Sequence, residues 1–269
     1  MNTLTIGSKG LEVTQLQRFL AKISPLFVDG DFGDNTERAL MAYQRSAGLV
    51  ADGIAGPKTL ARIFGASDPK HLSQADLQAA ADELGVDLPA VMAVNNVESR
   101  GTGFLPNGKP VILFERHIMY RRLAASEQPE LAENVDAFAE RYPAIVSQRP
   151  GGYAGGSAEH QRLATAKQIS TDCAIESASW GLFQIMGFHW QALGYESAAD
   201  FEACMCRSER EQLMAFVRFI KLDSSLHIAL RNHRWADFAK RYNGPAFKRN
   251  NYDRRLAEAF AKFTAIEAA

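Results

Sequence analysis

The feature that most restricts this chain is a tandem repeat near its start. Asp29-Gly30, Gly33 and Thr36 recur as Asp52-Gly53, Gly56 and Thr59, each 23 residues further on. Asp-Gly supplies a turn whose glycine tolerates positive φ, the second glycine closes it, and the threonine is expected to cap a helix entered directly afterwards. Leu11, Val13, Leu16, Phe19 and Leu20 mark an amphipathic helix before the first turn, and Ala39, Leu40 and Tyr43 another after it. The expectation is a small three-helix bundle over residues 1–65. By itself such a bundle serves equally well as a spacer, a dimerisation unit or a binding module.

Gly65 to His71 mixes Gly, Ser, Asp and Pro without apolar periodicity, so residues 66–73 read as a linker and 74–269 as a second domain. Ser73 and Asp76 have the spacing of a capping box and Gly85 a helix stop. Pro89 opens a second helix whose buried stripe is Val91, Val94 and Val97. Glu98 closes that helix at the edge of the stripe. There, partial desolvation and the negative end of the helix dipole both favour the protonated form, as a general acid requires. An exposed glutamate paired with Arg100 fits the same position. Downstream, Ser179-Trp180-Gly181-Leu182-Phe183-Gln184 runs on to Gly187, which suggests backbone approaching a ligand at the glycines and an amide offered to sugar groups. Tyr242-Asn243-Gly244-Pro245 breaks a helix containing Trp235 and Phe238, and Asn250-Asn251-Tyr252 follows. Aromatics beside amides suit a groove that stacks on sugar rings.

Composition excludes several alternatives. With 46% hydrophobic and 23% charged residues, the 269-residue chain is not disordered or low-complexity. A net charge of -1 gives no global field for nucleic acid or membrane. The balance is local: residues 67–206 carry 18 acidic and 10 basic groups, and residues 207–269 carry 7 and 13. The basic tail is open to two readings, an anionic ligand or a solvated helix face. Cys173, Cys204 and Cys206 form no even framework, and Cys204 and Cys206 are too close for a relaxed bridge. His117, His160 and His189 lack ligand spacing, so no metal and no cofactor is expected. Neither a signal peptide nor an apolar run long enough for a membrane anchor is present, and no stable membrane insertion is expected.

Gly7, Gly10, Val13, Leu16, Gln17, Asp29-Gly30, Phe32-Gly33, Thr36, Ala39, Tyr43-Gln44, Gly48-Leu49, Asp52-Gly53, Gly56 and Thr59-Leu60 together resemble the helical peptidoglycan-binding domain of cell-wall hydrolases. That resemblance implies a shallow groove beside the repeated turns, pointing to Asp29, Asp31, Phe32 and Asp52 as binding residues. Val97-Glu98-Ser99 with Gly101, Ile112 to His117, Pro150 to Tyr153, Ser179-Trp180-Gly181 through Gly187, and Tyr242-Asn243-Gly244 resemble the N-acetylmuramidase domain of phage endolysins, within the lysozyme-like superfamily. The resemblance implies a mainly α fold with a short β element and gives Glu98 the catalytic role. Tyr153, Ser179, Trp180, Gly181, Gln184, Tyr242, Asn243 and Tyr252 are the expected substrate-binding set, with peptidoglycan glycan strands as partner. A monomer is expected, made in a host cytoplasm without a signal peptide, released through holin lesions and acting in the periplasm.

Glycoside hydrolysis ordinarily uses a second carboxylate. Glu115 follows the apolar run Val111 to Phe114, read as a short buried strand, and is flanked by Arg116 and His117. It fits that role and fits a structural salt bridge equally. The turns between Glu98 and Glu115 favour the wider separation of an inverting enzyme. Glu176 and Asp172 read as solvated residues, and Leu213, Phe216, Val217 and Ile220, after Ser208 and Glu211, as a buried helix stripe. Trp190 and Trp235 read as core, and Trp180 as groove lining. A lytic transglycosylase and a non-catalytic wall-binding protein are the two rival readings.

Overall fold

Helices begin and end where local chemistry allows it. In the computed structural model, which describes residues 2–66, 68–99 and 101–267, the first three helices are α1 (Leu11–Leu20), α2 (Asp34–Ser46) and α3 (Pro57–Ile63). Next come α4 (Gln74–Leu84) and α5 (Leu88–Glu98). Strand β1 (Ile112–Phe114) leads into α6 (Arg116–Ala124), α7 (Pro129–Glu133), α8 (Val135–Arg141), α9 (Ala158–Lys167) and α10 (Thr171–Glu176). The hairpin β2 (Ala178–Trp180) and β3 (Ile185–Met186) is followed by α11 (Ala198–Arg207), α12 (Glu209–Leu222), α13 (Ser224–Arg231), α14 (Trp235–Asn243) and α15 (Tyr252–Glu267). The fold is mainly α with one small sheet, as the sequence indicates.

The chain divides into two compact units, Met1–Asn96 with Leu256–Ala269, and Val97–Arg255. In the first, Leu4, Val13, Leu16, Leu20, Phe32, Leu40, Ala55 and Leu60 form a core drawn from the repeat bundle alone. The expected threonine caps are absent: Gly33 and Gly56 occupy the cap positions, and Thr36 and Thr59 lie one turn further in. Their hydroxyls instead complete two polar hubs, each centred on a buried glutamine. Gln17 Nε2 donates to Asp29 Oδ1 (2.8 Å) and faces Thr36 Oγ1 (3.0 Å), while its Oε1 accepts from Gly30 N (2.8 Å). Gln44 repeats the pattern with Asp52 Oδ1 (2.8 Å), Thr59 Oγ1 (3.1 Å) and Gly53 N (3.0 Å). Gln17 and Gln44 are 27 residues apart, so the 23-residue period hides them.

The remainder of this unit joins the bundle through polar contacts. Ser73 and Asp76 form the expected capping box on α4, and Gly85 ends it in the left-handed region at φ 61°. Gln74 Oε1 accepts from Ala51 N (3.0 Å). On α15, Lys262 Nζ donates to Glu37 Oε1 (2.7 Å) and Asp52 O (3.2 Å). The buried stripe of α5 includes Val91, Val94 and Val97, as expected.

The second unit is built around the sheet, in the order β1-β2-β3 and antiparallel throughout, with Ile112 opposite Trp180, Phe114 opposite Ala178, and Trp180 opposite Ile185. Ser208 caps α12, and its inner face buries Leu213, Phe216, Val217 and Ile220. Two residues at the start of α12 hold the glycine loops around the sheet. Glu209 Oε1 accepts from Gly103 N (2.8 Å) and Gln212 Oε1 from Leu182 N (2.8 Å). A Cβ on Gly103 or Gly181 would lie 2.0 Å or 2.4 Å from the Gln212 side chain.

Candidate active site

Glu98 ends α5, whose apolar face leaves this carboxylate half-buried. Burial raises its pKa above the ordinary carboxylate value, opposed by a hydrogen bond from Asn243 and the nearby positive charge of Arg255. Asn243 Nδ2 donates to Glu98 Oε1 at 2.9 Å. Asn243 is held there because Tyr242, beside it at the end of α14, is wedged among the rings of Phe216, Phe219 and Phe238 and donates its hydroxyl to Phe183 O (3.2 Å). Burial first, then the charge of Glu98, pushes the Tyr242 phenol well above its usual range. The chain leaves α14 at Gly244, φ 75°, and returns through a 3-10 segment to Tyr252, over whose ring Arg255 lies at 5.5 Å. The motif Tyr242-Asn243-Gly244 therefore reaches Glu98 through Asn243. The alternative partner Arg100 falls outside the described residues.

Glu115 lies just past β1 with its side chain largely covered. The Tyr153 hydroxyl sits 2.9 Å and 3.0 Å from its two oxygens and shares its proton between them. His117 Nδ1 approaches Glu115 Oε2 at 3.2 Å but out of line for a hydrogen bond, and is left without one. Arg116 does not pair with Glu115. It donates to Arg149 O (3.0 Å), Pro143 O (3.2 Å) and Pro150 O (3.1 Å), tying down the loop that carries Tyr153. Tyr153 is 48% exposed, so its ring is free to meet a ligand while its hydroxyl stays on the carboxylate. Of the two flanking cations the sequence offered, Arg116 pairs elsewhere, His117 lies within ion-pair distance of Glu115, and the hydrogen bond to the carboxylate comes from Tyr153.

The glycine-rich run lies differently from the expectation. Trp180 is 1% exposed, with its indole N–H on Ile175 O (3.1 Å) and its edge toward Phe201, so it belongs to the core and not to a groove wall. Ser179 and Gly181 are also buried. Close approach at the glycines is to the protein itself: a Cβ on Gly187 would stand 2.0 Å from Ile175 O, and Gly181 faces Gln212. Gln184, at φ 53°, turns its amide inward, donating to Gly181 O (2.9 Å) and accepting from Ser179 Oγ (3.0 Å). These residues form the floor on which the Tyr242 contact at Phe183 rests. Glu176 is not solvated either; it is buried, accepting from Arg122 Nε (2.6 Å) and Trp190 Nε1 (2.8 Å).

In the repeat bundle, Asp29 and Asp52 spend their carboxylates on the glutamine hubs and on their own turns, at Asp31 N and Ile54 N (2.9 Å each). Phe32 is fully buried, at 0% exposure, because it fills the bundle core. Asp31 is exposed and pairs with Lys9 at 2.7 Å. Three of the four expected binding residues of this module therefore have structural work that accounts for them. Among the described residues no group of His, Cys, Asp and Glu is arranged to hold a metal ion.

Comparison with known proteins agrees with this architecture. Residues 87–264 match the N-acetylmuramidase family and residues 9–63 the putative peptidoglycan binding domain. The chain belongs to the N-acetylmuramidase family, a class of glycoside hydrolases acting on peptidoglycan, and carries a peptidoglycan-binding domain ahead of the muramidase region. Among solved structures it is similar to the Burkholderia AP3 phage endolysin, at 53% identity and a TM-score of 0.94, covering 98% of this chain and 100% of that one. Curated relatives match in part only. The zinc D-Ala-D-Ala carboxypeptidase of Streptomyces albus G is 40% identical over 83 residues, 28% of this chain and 32% of that protein. The N-acetylmuramoyl-L-alanine amidase CwlM of Mycobacterium tuberculosis is 60% identical over 37 residues, 14% of this chain and 9% of that protein. The chain thus spans a third or less of the length of these two relatives.

Proposed function

We propose that this chain is a modular endolysin that hydrolyses the β-1,4 bond between MurNAc and GlcNAc, with Glu98 as the general acid protonating the leaving oxygen. The observation that carries this reading is a half-buried carboxylate at a helix end, its pKa raised by burial and its orientation fixed by Asn243. Glu115 is the second carboxylate, positioning or deprotonating the attacking water, with Tyr153 as its partner. Tyr153, Asn243 and Tyr252 face the glycan, with Tyr242 holding Asn243 from behind and Ser179, Trp180, Gly181 and Gln184 in the layer beneath. Residues 1–65 bind the wall, 66–73 link, and 74–269 carry the chemistry. The protein acts as a monomer in the periplasm after holin-dependent release, and no helix among the described residues is long and apolar enough to cross a membrane.

Inversion is the stereochemistry this reading proposes, because two turns lie between Glu98 and Glu115 and let the second segment face the helix end across a cleft. Val111 N donates to Gly103 O (2.8 Å), on the loop leaving Glu98, and Gly181 N donates to Val111 O (2.7 Å). Inverting enzymes separate their carboxyl groups by about 6.5 to 9.5 Å and retaining ones by about 5 to 5.5 Å. The nascent reducing end should therefore appear first as the α-anomer, by NMR of early product; a β-anomer overturns this assignment.

The decisive test joins one variant to one product analysis. Glu98→Gln keeps the size and hydrogen bonding of the side chain but holds no transferable proton, so turnover should fall by about 10² to 10⁴. Clearing of outer-membrane-stripped cells within a few-fold of wild type would sink the assignment. Mass spectra of the wild-type digest should show MurNAc reducing ends carrying the added water, whereas 1,6-anhydro ends would mean a transglycosylase and no new ends a binding protein.

A further inference from the structure

Glu159, in the first turn of α9, has no exposed surface, yet four donors converge on it. Oε1 accepts from Ala154 N (2.6 Å) and Gly155 N (2.8 Å), and Oε2 from Phe114 N (3.1 Å) and Arg162 Nη1 (2.7 Å). Ala154 follows Tyr153 and Phe114 precedes Glu115. One buried carboxylate thus grips the main chain beside each member of the Tyr153–Glu115 pair. We infer that Glu159 is a positioning residue that sets the contact between the Tyr153 hydroxyl and the Glu115 carboxylate.

Only an ionised carboxylate offers acceptor sites for four donors, and a neutral amide in the same place would turn two of its own hydrogens toward them. Arg162 balances the charge and is itself held by Phe114 O (2.9 Å) and Ala144 O (2.8 Å), with its guanidinium over the Phe114 ring at 5.1 Å. Burial opposes ionisation, but the hydrogen bonds from Gly155, Arg162, Phe114 and Ala154 outweigh it and hold the Glu159 pKa below its ordinary value. On the other side of Tyr153, Arg116 secures Arg149 and Pro150, and Gly152, at φ 78°, would bring a Cβ to 3.1 Å from that guanidinium. The loop is therefore clamped on both sides of Tyr153. Burial and the adjacent Glu115 carboxylate push the Tyr153 phenol above its ordinary value, which supplies a signal that does not depend on turnover.

The catalytic consequence of this inference rests on the proposed role of Glu115; the positional one does not. Glu159→Asp keeps the charge facing Arg162 but shortens the reach, so that one carboxylate no longer spans both segments. Phenolate absorbance of Tyr153, isolated by difference from Tyr153→Phe in each background, should titrate at lower pH in Glu159→Asp than in wild type. Turnover of soluble glycan should fall about tenfold to a hundredfold, as sub-ångström misplacement of a reacting group does. In the Tyr153→Phe background the same change should cost little more, because the contact is already gone. Should Glu159→Asp fail to fold, Ala154→Pro removes one donor and leaves the ion pair, and the same phenol shift is expected. An unmoved phenol in a folded variant overturns the inference whatever happens to the rate. A moved phenol with unchanged turnover upholds it and overturns the chemical role of Glu115 instead.

Discussion

A carboxylic acid that delivers a proton near neutrality gains from burial and loses from every donor that stabilises its anion. At Glu98 burial is the larger influence, with Asn243 and Arg255 pulling the other way. With Glu98 in the proposed role of general acid, removing the amide in Asn243→Ala should move the basic limb of the kcat profile to higher pH while lowering its maximum, since the acid is then less well oriented. A limb that moves to lower pH would show that the amide does not favour the anion. The same balance affects stability. A glutamate whose folded pKa is raised favours the folded state while protonated, and that contribution is lost as pH rises from the unfolded value through the folded one. Glu98→Gln removes the ionisation, so its Tm should exceed that of wild type at pH 8 and approach it at pH 4, by calorimetry. The sequence shows a buried stripe ending on Glu98 and an amide after an aromatic at a helix break, but position alone fits an exposed glutamate equally, and the expected role of Glu98 comes from the family resemblance. Arg255 was not legible, since nothing in the linear order brings it to the end of a helix more than 150 residues earlier.

Elements tell a similar story about what can be read in advance. Capping boxes and buried stripes obey local rules, and Ser73, Gly85, Ser208 and the valines of α5 behave as their spacing indicates. Glycines and buried polar residues answer to distant partners instead. Gly181 and Gly187 suggested a ligand, because sequence shows that a side chain is excluded but not by what; the excluding groups are Gln212 and Ile175. Thr36 and Thr59 suggested caps, although the hub glutamines were the residues that needed their hydroxyls. Each hub glutamine satisfies groups that would otherwise be left without partners inside the bundle. Gln17→Leu should therefore destabilise the full chain by about 1 to 3 kcal/mol in denaturant unfolding, the typical cost of a buried polar group losing its partner. A change below about 0.5 kcal/mol would mean that water takes over the vacated positions.

At the scale of the whole molecule, the proposed wall-binding module has a core made only of its own residues, yet shares its compact unit with α4, most of α5 and most of α15. Among its links to them are the polar contacts of Gln74 and Lys262. Deleting residues 1–65 should leave a folded remainder with a lower Tm, because α15 loses the partners of Lys262. Turnover of soluble fragments should persist while clearing of intact sacculi falls, since tethering raises local enzyme concentration on a polymer. Equal clearing by both forms at low enzyme concentration would rule out the anchoring role. The glutamine at position 212 has a consequence of another kind. Its side chain fills the space that a Cβ at position 103 or 181 would need, so these three positions are sterically coupled. A side chain at position 103 or 181 needs the Gln212 amide to move out of the hydrogen bond that holds Leu182, so a change at either glycine is felt in the loop beside the sheet.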